Sequence, residues 1–249
     1  MLFLLRKIRR KLMQKNKFTT YLLYAIGEII LVVIGILIAV SINNWNQKKK
    51  DQAAEKVLLI KVLSDLESDF QVIKKSKRTA ERIQEFHQDC FSIILNRRKA
   101  SDVVFQDPNL VRRTMYYNPL TRDNHPDLVN RISNQETKEQ ASTYYRWMKV
   151  MDEAYLEYAP VVLQIRRYIS LQKGHNLAAL YQKDQLAFNM DGNVTLVTRD
   201  KVRELLQDEY FQQLLLESNL KIQDARGSLD SLIIHNENLR SMIEKIVND

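Results

Sequence analysis

From Tyr21 to Ile42 nearly every position is apolar, whereas beyond Asn46 apolar residues recur at steps of three and four among polar ones. The first pattern suits a helix surrounded by lipid, the second helices that each bury one face. Residues 21–42, YLLYAIGEIILVVIGILIAVSI, hold no proline and a single charge, Glu28, and the run Ile29–Val40 has no polar face. At helical rise this stretch covers about 33 Å, enough for a hydrocarbon layer of ~30 Å. A transmembrane helix is therefore expected over residues 21–45, with Tyr21 and Tyr24 at one interface and Trp45 at the other.

The flanks orient it. Residues 1–20 carry Arg6, Lys7, Arg9, Arg10, Lys11, Lys15 and Lys17 and no acid, whereas Lys48, Lys49 and Lys50 are soon joined by Asp51 and Glu55. The larger basic cluster stays in the cytoplasm, which places residues 47–249 outside the cytoplasmic membrane. The apolar run exceeds a cleavable signal's core of ~7–15 residues, so an uncleaved signal-anchor is expected despite the small pair Ala39 and Ser41. No second run of span length follows residue 46, which makes the chain single-pass. Before the span, Leu4, Leu5, Ile8 and Leu12 share a helical face with Arg6, Arg9 and Arg10 turned away. That segment either lies on anionic headgroups or is a plain basic flank.

Beyond the span the 3–4 spacing continues through Leu59, Leu63, Leu66, Phe70 and Ile73, and less regularly through Ala80, Phe86, Cys90 and Ile94. One long helix is expected over residues 46–98, either a stalk or, more plainly, an amphipathic bundle helix. Residues 100–135 hold three of the four prolines, Pro108, Pro119 and Pro126, and read as irregular. Helices follow over 136–188, with Tyr144, Trp147, Met148, Met151, Tyr155 and Tyr158 as a core stripe, a new helix starting at Pro160, an end at Gly174, and a further helix from Leu177 to Phe188. MDGN at 190–193 reads as a turn and VTLV at 194–197 as a short extended piece. Asp200 is expected to cap a helical region over 200–247, with Gly227 as a candidate break. The fold class expected is all-α: one N-terminal transmembrane helix, then an extracytoplasmic helical bundle in residues 46–249.

Charge and composition narrow the function classes. The net charge is +8, but residues 1–50 alone carry ten Lys/Arg and one acid, so the remaining 199 residues sum to −1. The basic excess belongs to the anchor and gives no ground for nucleic-acid binding. One cysteine, Cys90, excludes an internal disulfide framework, and five glycines and four prolines favour long helices over strands. GxxxxGK[ST], HExxH, GxSxG and CxxC are all absent. His87 and Cys90 form an HxxC pair on one helix face, half a metal site at most, and read better as core or surface residues. No catalytic, cofactor or metal residues are assigned.

Two stretches hold candidate binding residues. On the span helix Tyr24, Glu28, Gly35 and Ala39 share a face, and Gly35 and Ala39 form a small-xxx-small notch that lets two helix backbones approach. Three roles for Glu28 remain open: snorkelling to the cytoplasmic interface, facing a second span in protonated or hydrogen-bonded form, or carrying protons or ions. In the irregular segment, Arg112, Arg113, Tyr116, Tyr117, Arg122 and His125 would suit an anionic ligand or a peptide, with a simple connector as the plainer reading.

The run FLLRKIRRKLMQKNKF, then YLLYAIGEIILVVIGILIAVSINNWN, then a charged helix, resembles domain-of-unknown-function family 6090, short single-span proteins of Bacteroidota. The recurring family pieces YAIGEI, LVVIGILIA and INNWN are matched by Tyr24–Ile29, Leu31–Ala39 and Ile42–Asn46. The resemblance covers about the first fifty residues. It implies an inner-membrane anchor with a periplasmic helical domain and implies no activity. The expected function is non-enzymatic: an envelope interaction or assembly component, without cofactor, that meets the bilayer and either its own copies or another membrane protein. The competing expectation is a periplasmic ligand-binding or sensor module that signals through a membrane partner.

Overall fold

A computed structural model describes residues 18–172 and 196–248. The basic residues between Arg6 and Lys17, the expected helix at 177–188 and the expected turn at 190–193 lie outside the described residues. Among the described residues the structure is all-α: α1 (Phe18–Ile94), 3-10 turns at Ala100–Asp102 and Pro108–Arg112, α2 (Thr121–Asn124), α3 (Leu128–Arg131), α4 (Gln135–Arg167), a π-helical turn (Tyr168–Gln172), α5 (Arg199–Leu205) and α6 (Glu209–Asn248). Leu196 and Val197 form a bend, not an extended piece. The chain falls into two compact units divided between Val57 and Leu58.

The span and the first bundle helix were expected as separate elements, yet α1 is one helix of 77 residues. No proline occurs before Pro108, so nothing in the sequence forces a break. The helix stops at Ile94, short of the expected end at Arg98, because Asn96 takes a left-handed conformation (φ 56°). Asparagine tolerates that region better than most residues. The freed carbonyls are taken by the Asn96 amide on Ile93 O and the Arg97 and Arg98 amides on Ser92 O.

In the unit from Leu58 onward, α1, α4 and α6 pack along a shared core. The Gln140 side chain meets His235 and the Tyr168 hydroxyl meets Asp208, so α4 and α6 are antiparallel. Asn236 donates to Leu66 O and Arg226 to Gln84, so α1 and α6 are antiparallel too. The buried positions of α1 include the series Leu59, Val62, Leu66, Asp69, Ile73, Ser76, Ala80, Ile83, His87 and Cys90, flanked by Leu58, Phe86 and Ile93. Within that series the steps alternate between three and four. A like series runs along α6 through Phe211, Leu215, Ser218, Ile222, Ala225, Leu229, Leu232, Asn236, Leu239 and Ile243, flanked by Leu214 and Ser228. This is the spacing of a coiled-coil seam, with polar residues at seam positions.

Two expected breaks are absent. Pro160 lies inside α4 instead of starting a helix. Its missing amide would have served the carbonyl of Leu156 one turn back, and both residues are exposed, so water can satisfy that carbonyl. Gly227 lies inside α6, with nothing within 4 Å of where a Cβ would stand. The buried residues on either side hold the helix through a glycine that costs about 1 kcal/mol relative to alanine. Nor is 200–247 one region capped by Asp200. The Thr198 hydroxyl caps α5 by accepting from the Lys201 amide at 3.1 Å, and Asp208 accepts from the Phe211 amide at 2.9 Å to start α6.

Candidate functional site

The centre of the bundle holds a polar layer. Asp69, Tyr144 and Asn236 occupy seam positions on α1, α4 and α6, and all three are fully buried. The Asp69 carboxylate accepts from the Leu120 amide at 2.5 Å, the Thr121 amide at 3.2 Å and the Tyr144 hydroxyl at 3.1 Å. Asn236 Nδ2 donates to Tyr144 Oη at 3.1 Å and to Leu66 O at 2.9 Å. Burial pushes the Asp69 carboxyl above its ordinary value, and its donors offset part of that rise. Burial also drives the Tyr144 phenol well above the ordinary range, so it stays a neutral donor. One carboxylate thereby ties two helices to the segment that crosses between them. A partnered polar residue at a seam position fixes register, since any slide of one helix would leave it buried and unbonded.

Residues 95–134 form a strap that is gripped by its main chain. Ser76 Oγ donates to Tyr116 O. Tyr158 Oη donates to Arg113 O at 3.0 Å and Arg166 Nε to Arg112 O at 2.8 Å. Arg199 Nε reaches Phe105 O at 2.9 Å and Arg203 Nε reaches Ala100 O at 3.2 Å. Tyr145 Oη donates to His125 O at 2.7 Å. A connector with few backbone partners of its own thus has its carbonyls satisfied by helix side chains.

The six candidate binding residues of the strap do not meet in one place. Arg122 pairs with Asp152 of α4 at 2.8 Å, and His125 Nε2 meets Asp65 of α1 at 3.0 Å, beside Asn124 Nδ2 at 2.8 Å from the same oxygen. The Tyr117 phenol is pushed far up by burial. Tyr116 is 69% exposed and Arg113 is exposed. Arg112 is half-buried against Arg166. A separate surface depression of about 670 Å³ lies where α1 ends, lined by Asn96, Arg97, Arg98, Lys99, Asp102 and Gln207 among others. Arg98 is already bound there to Asp89 at 2.8 Å.

Of the span-face residues, Tyr24 is partly covered and Glu28, Gly35 and Ala39 are exposed. Nothing lies within 4 Å of where a Cβ on Gly35 would stand, so the notch is open. Trp45, at the far end of the apolar run, is 60% exposed and carries Lys49 Nζ 4.0 Å above its ring. This helix is long and apolar enough to cross a membrane, and its most apolar window is entirely unburied. His87 and Cys90 are both in the core. Burial lowers the His87 imidazole to about 4 and raises the Cys90 thiol, so the two are a neutral packing pair. Among the described residues no group of three His, Cys, Asp or Glu is placed to hold a metal ion.

Residues 28–121 match the model of a family of unknown function (DUF6090). This part of the chain is similar to that family. No curated protein and no solved structure matches the chain. The matched segment begins at Glu28, takes in the Gly35/Ala39 notch and the bundle part of α1, and ends at Thr121. Its last residue is the second of the two strap amides on Asp69. The other two members of the polar layer, Tyr144 and Asn236, come from helices beyond the matched region.

Sequence reasoning misses Asp69, Ser76 and Asn236 as long as the seam is taken to be apolar throughout. The signal that finds them is the unbroken 3–4 alternation through Val62, Asp69, Ser76 and Ile83, visible only when polar residues are admitted to the seam.

Proposed function

We propose that this protein is a non-enzymatic assembly component of the bacterial envelope. It is anchored in the inner membrane by residues 21–45, with its N terminus cytoplasmic and its helical bundle periplasmic. It associates through the span face that carries Tyr24, Glu28, Gly35 and Ala39. The observation that carries this reading is the span helix itself: a run of exposed apolar side chains from Ile29 to Ile42 with an open glycine notch and one carboxylate on the same face. In lipid, such a notch favours helix–helix contact, and an ionisable group in a span is expected to face a partner or the interface. The engaged side chains of the strap support a holding role for the bundle.

The test is crosslinking in native membranes followed by purification and mass spectrometry. Self-crosslinks that Gly35→Leu abolishes support assembly through the span, and a reproducible second protein assigns the function to that complex. Crosslinks unchanged in Gly35→Leu refute the face. A ligand-binding module is the second reading; the half-buried Arg112 guanidinium favours it.

A further inference from the structure

Arg112 ends the 3-10 turn Pro108–Arg112, and Arg166 lies in the last turn of α4. Arg166 Nε donates to Arg112 O at 2.8 Å, which brings two arginines into contact. Arg112 Nη1 is buried and has no hydrogen-bond partner among the described residues. Among the described residues, four carboxylates on the surrounding elements are committed elsewhere. Asp107 holds Arg82 at 3.1 Å and the Asn109 amide at 3.2 Å. Asp208 holds the Tyr168 hydroxyl at 2.7 Å, Asp152 holds Arg122 at 2.8 Å, and Glu157 holds Lys221 at 2.6 Å. Burial and the neighbouring Arg166 charge both push the Arg112 guanidinium below its usual value.

A buried guanidinium nitrogen left without an acceptor, with a second arginine close by, is unfavourable unless an anion completes it. The planar guanidinium fork matches a phosphate or carboxylate better than any other cationic side chain does. We propose that Arg112 and Arg166 form a binding site for the oxyanion group of a small ligand, a phosphate or a carboxylate. The anion accepts from Arg112 Nη1 and shares the charge of Arg166, whose Nε stays on the Arg112 carbonyl. The site lies wholly within the bundle unit and stands whether or not the span assembles.

The test uses the full chain in maltoside micelles, titrated with sodium phosphate or with sodium acetate at constant ionic strength. Calorimetry and the thermal midpoint are followed. Saturable binding with a raised midpoint is expected. Binding of phosphate alone marks a phosphate-bearing ligand, and binding of acetate as well marks a carboxylate. Arg112→Met should weaken binding by about 10- to 100-fold, the loss expected for a buried charge-assisted hydrogen bond. Its midpoint without anion should equal or exceed that of the wild type, because an unpartnered buried charge is gone. Should Arg112→Met fail to fold, Arg112→Lys, which keeps the charge and loses the fork, should weaken binding by about tenfold. Absence of binding for both anions, or affinity undiminished in either variant, overturns the proposal.

Discussion

Asp69→Ala removes the single acceptor shared by the Leu120 amide, the Thr121 amide and the Tyr144 hydroxyl. Each hydrogen bond to a charged acceptor is worth about 1.5–3 kcal/mol. Against this stands a cost of several kcal/mol for burying the carboxylate in the first place. Deleting it leaves three buried donors without a partner, and a net loss of about 3–5 kcal/mol is expected. That is a large part of a stability of ~5–15 kcal/mol. Asp69→Asn keeps one acceptor oxygen, enough for the Leu120 amide or for the Thr121 amide and Tyr144 hydroxyl but not for all three, and should lose less, about 1–3 kcal/mol. Urea unfolding of the full chain in maltoside micelles measures both. Trp147 fluorescence reports on the bundle, since that ring stacks on His235 with centroids 6.1 Å apart. A Trp45→Phe background removes the second tryptophan. The pH dependence gives an independent reading. The folded-state Asp69 pKa is raised, so between the unfolded value of 3.8 and the folded value the native state binds the extra proton. The wild type should therefore gain stability relative to Asp69→Asn as pH falls through that window, and the difference should be flat above it. A loss below about 1 kcal/mol in Asp69→Ala, or a difference independent of pH, would refute the fastening role.

Three further outcomes are expected. His87 has a folded-state pKa near 4 against 6.5 unfolded, so its contribution is complete above pH 6.5 and falls by roughly 2–4 kcal/mol as pH drops to 4. His87→Leu should flatten that slope in unfolding free energies measured across the range, and an unchanged slope would count against it. Leu66→Ala, at a fully buried seam position, should cost about 2–5 kcal/mol, whereas Ile60→Ala, half-exposed on the opposite face, should cost under about 0.5 kcal/mol. Equal costs in denaturant titrations would contradict the assigned seam. Pro160→Ala restores the amide within α4 and should raise the thermal midpoint, with a gain of about 1–3 kcal/mol; a lowered midpoint would show that the proline is required.

Much of the architecture was legible because it rests on periodicity. The apolar run to Ile42, the helical character of residues 46–94 and the aromatic stripe of α4 follow from spacing alone. What was not legible has physical causes. Asn96 ends α1 through a backbone conformation that only the folded chain displays. Pro160 and Gly227 carry strong breaking tendencies as isolated residues, yet each sits in a helix whose flanking residues are buried deeply enough to outweigh them. The register of the seam was blurred because Asp69, Ser76 and His87 replace apolar residues in it, so that Leu63 and Phe70, only partly buried, looked equally central. In the strap the residue types suggested a binding loop. Their positions depend on contacts with residues 20 to 100 places away, which no local pattern encodes. Arg166, beside Arg112, belonged to a helix face with no evident link to the strap.

The clamps on the strap close on carbonyl oxygens, which every amino acid carries alike. Ser76, Tyr158, Arg166, Arg199 and Arg203 therefore measure distance along the strap and are indifferent to its lettering. Exchanging an outward residue such as Val104 or Tyr116 leaves each grip intact. Inserting or deleting one residue between Ala100 and Thr121 moves every later carbonyl and amide by about 3.5 Å, beyond hydrogen-bond reach of its clamp. At the outward positions of this segment spelling is free to drift, whereas Val103, Phe105 and Met115 are held in the core and the length of the segment is fixed.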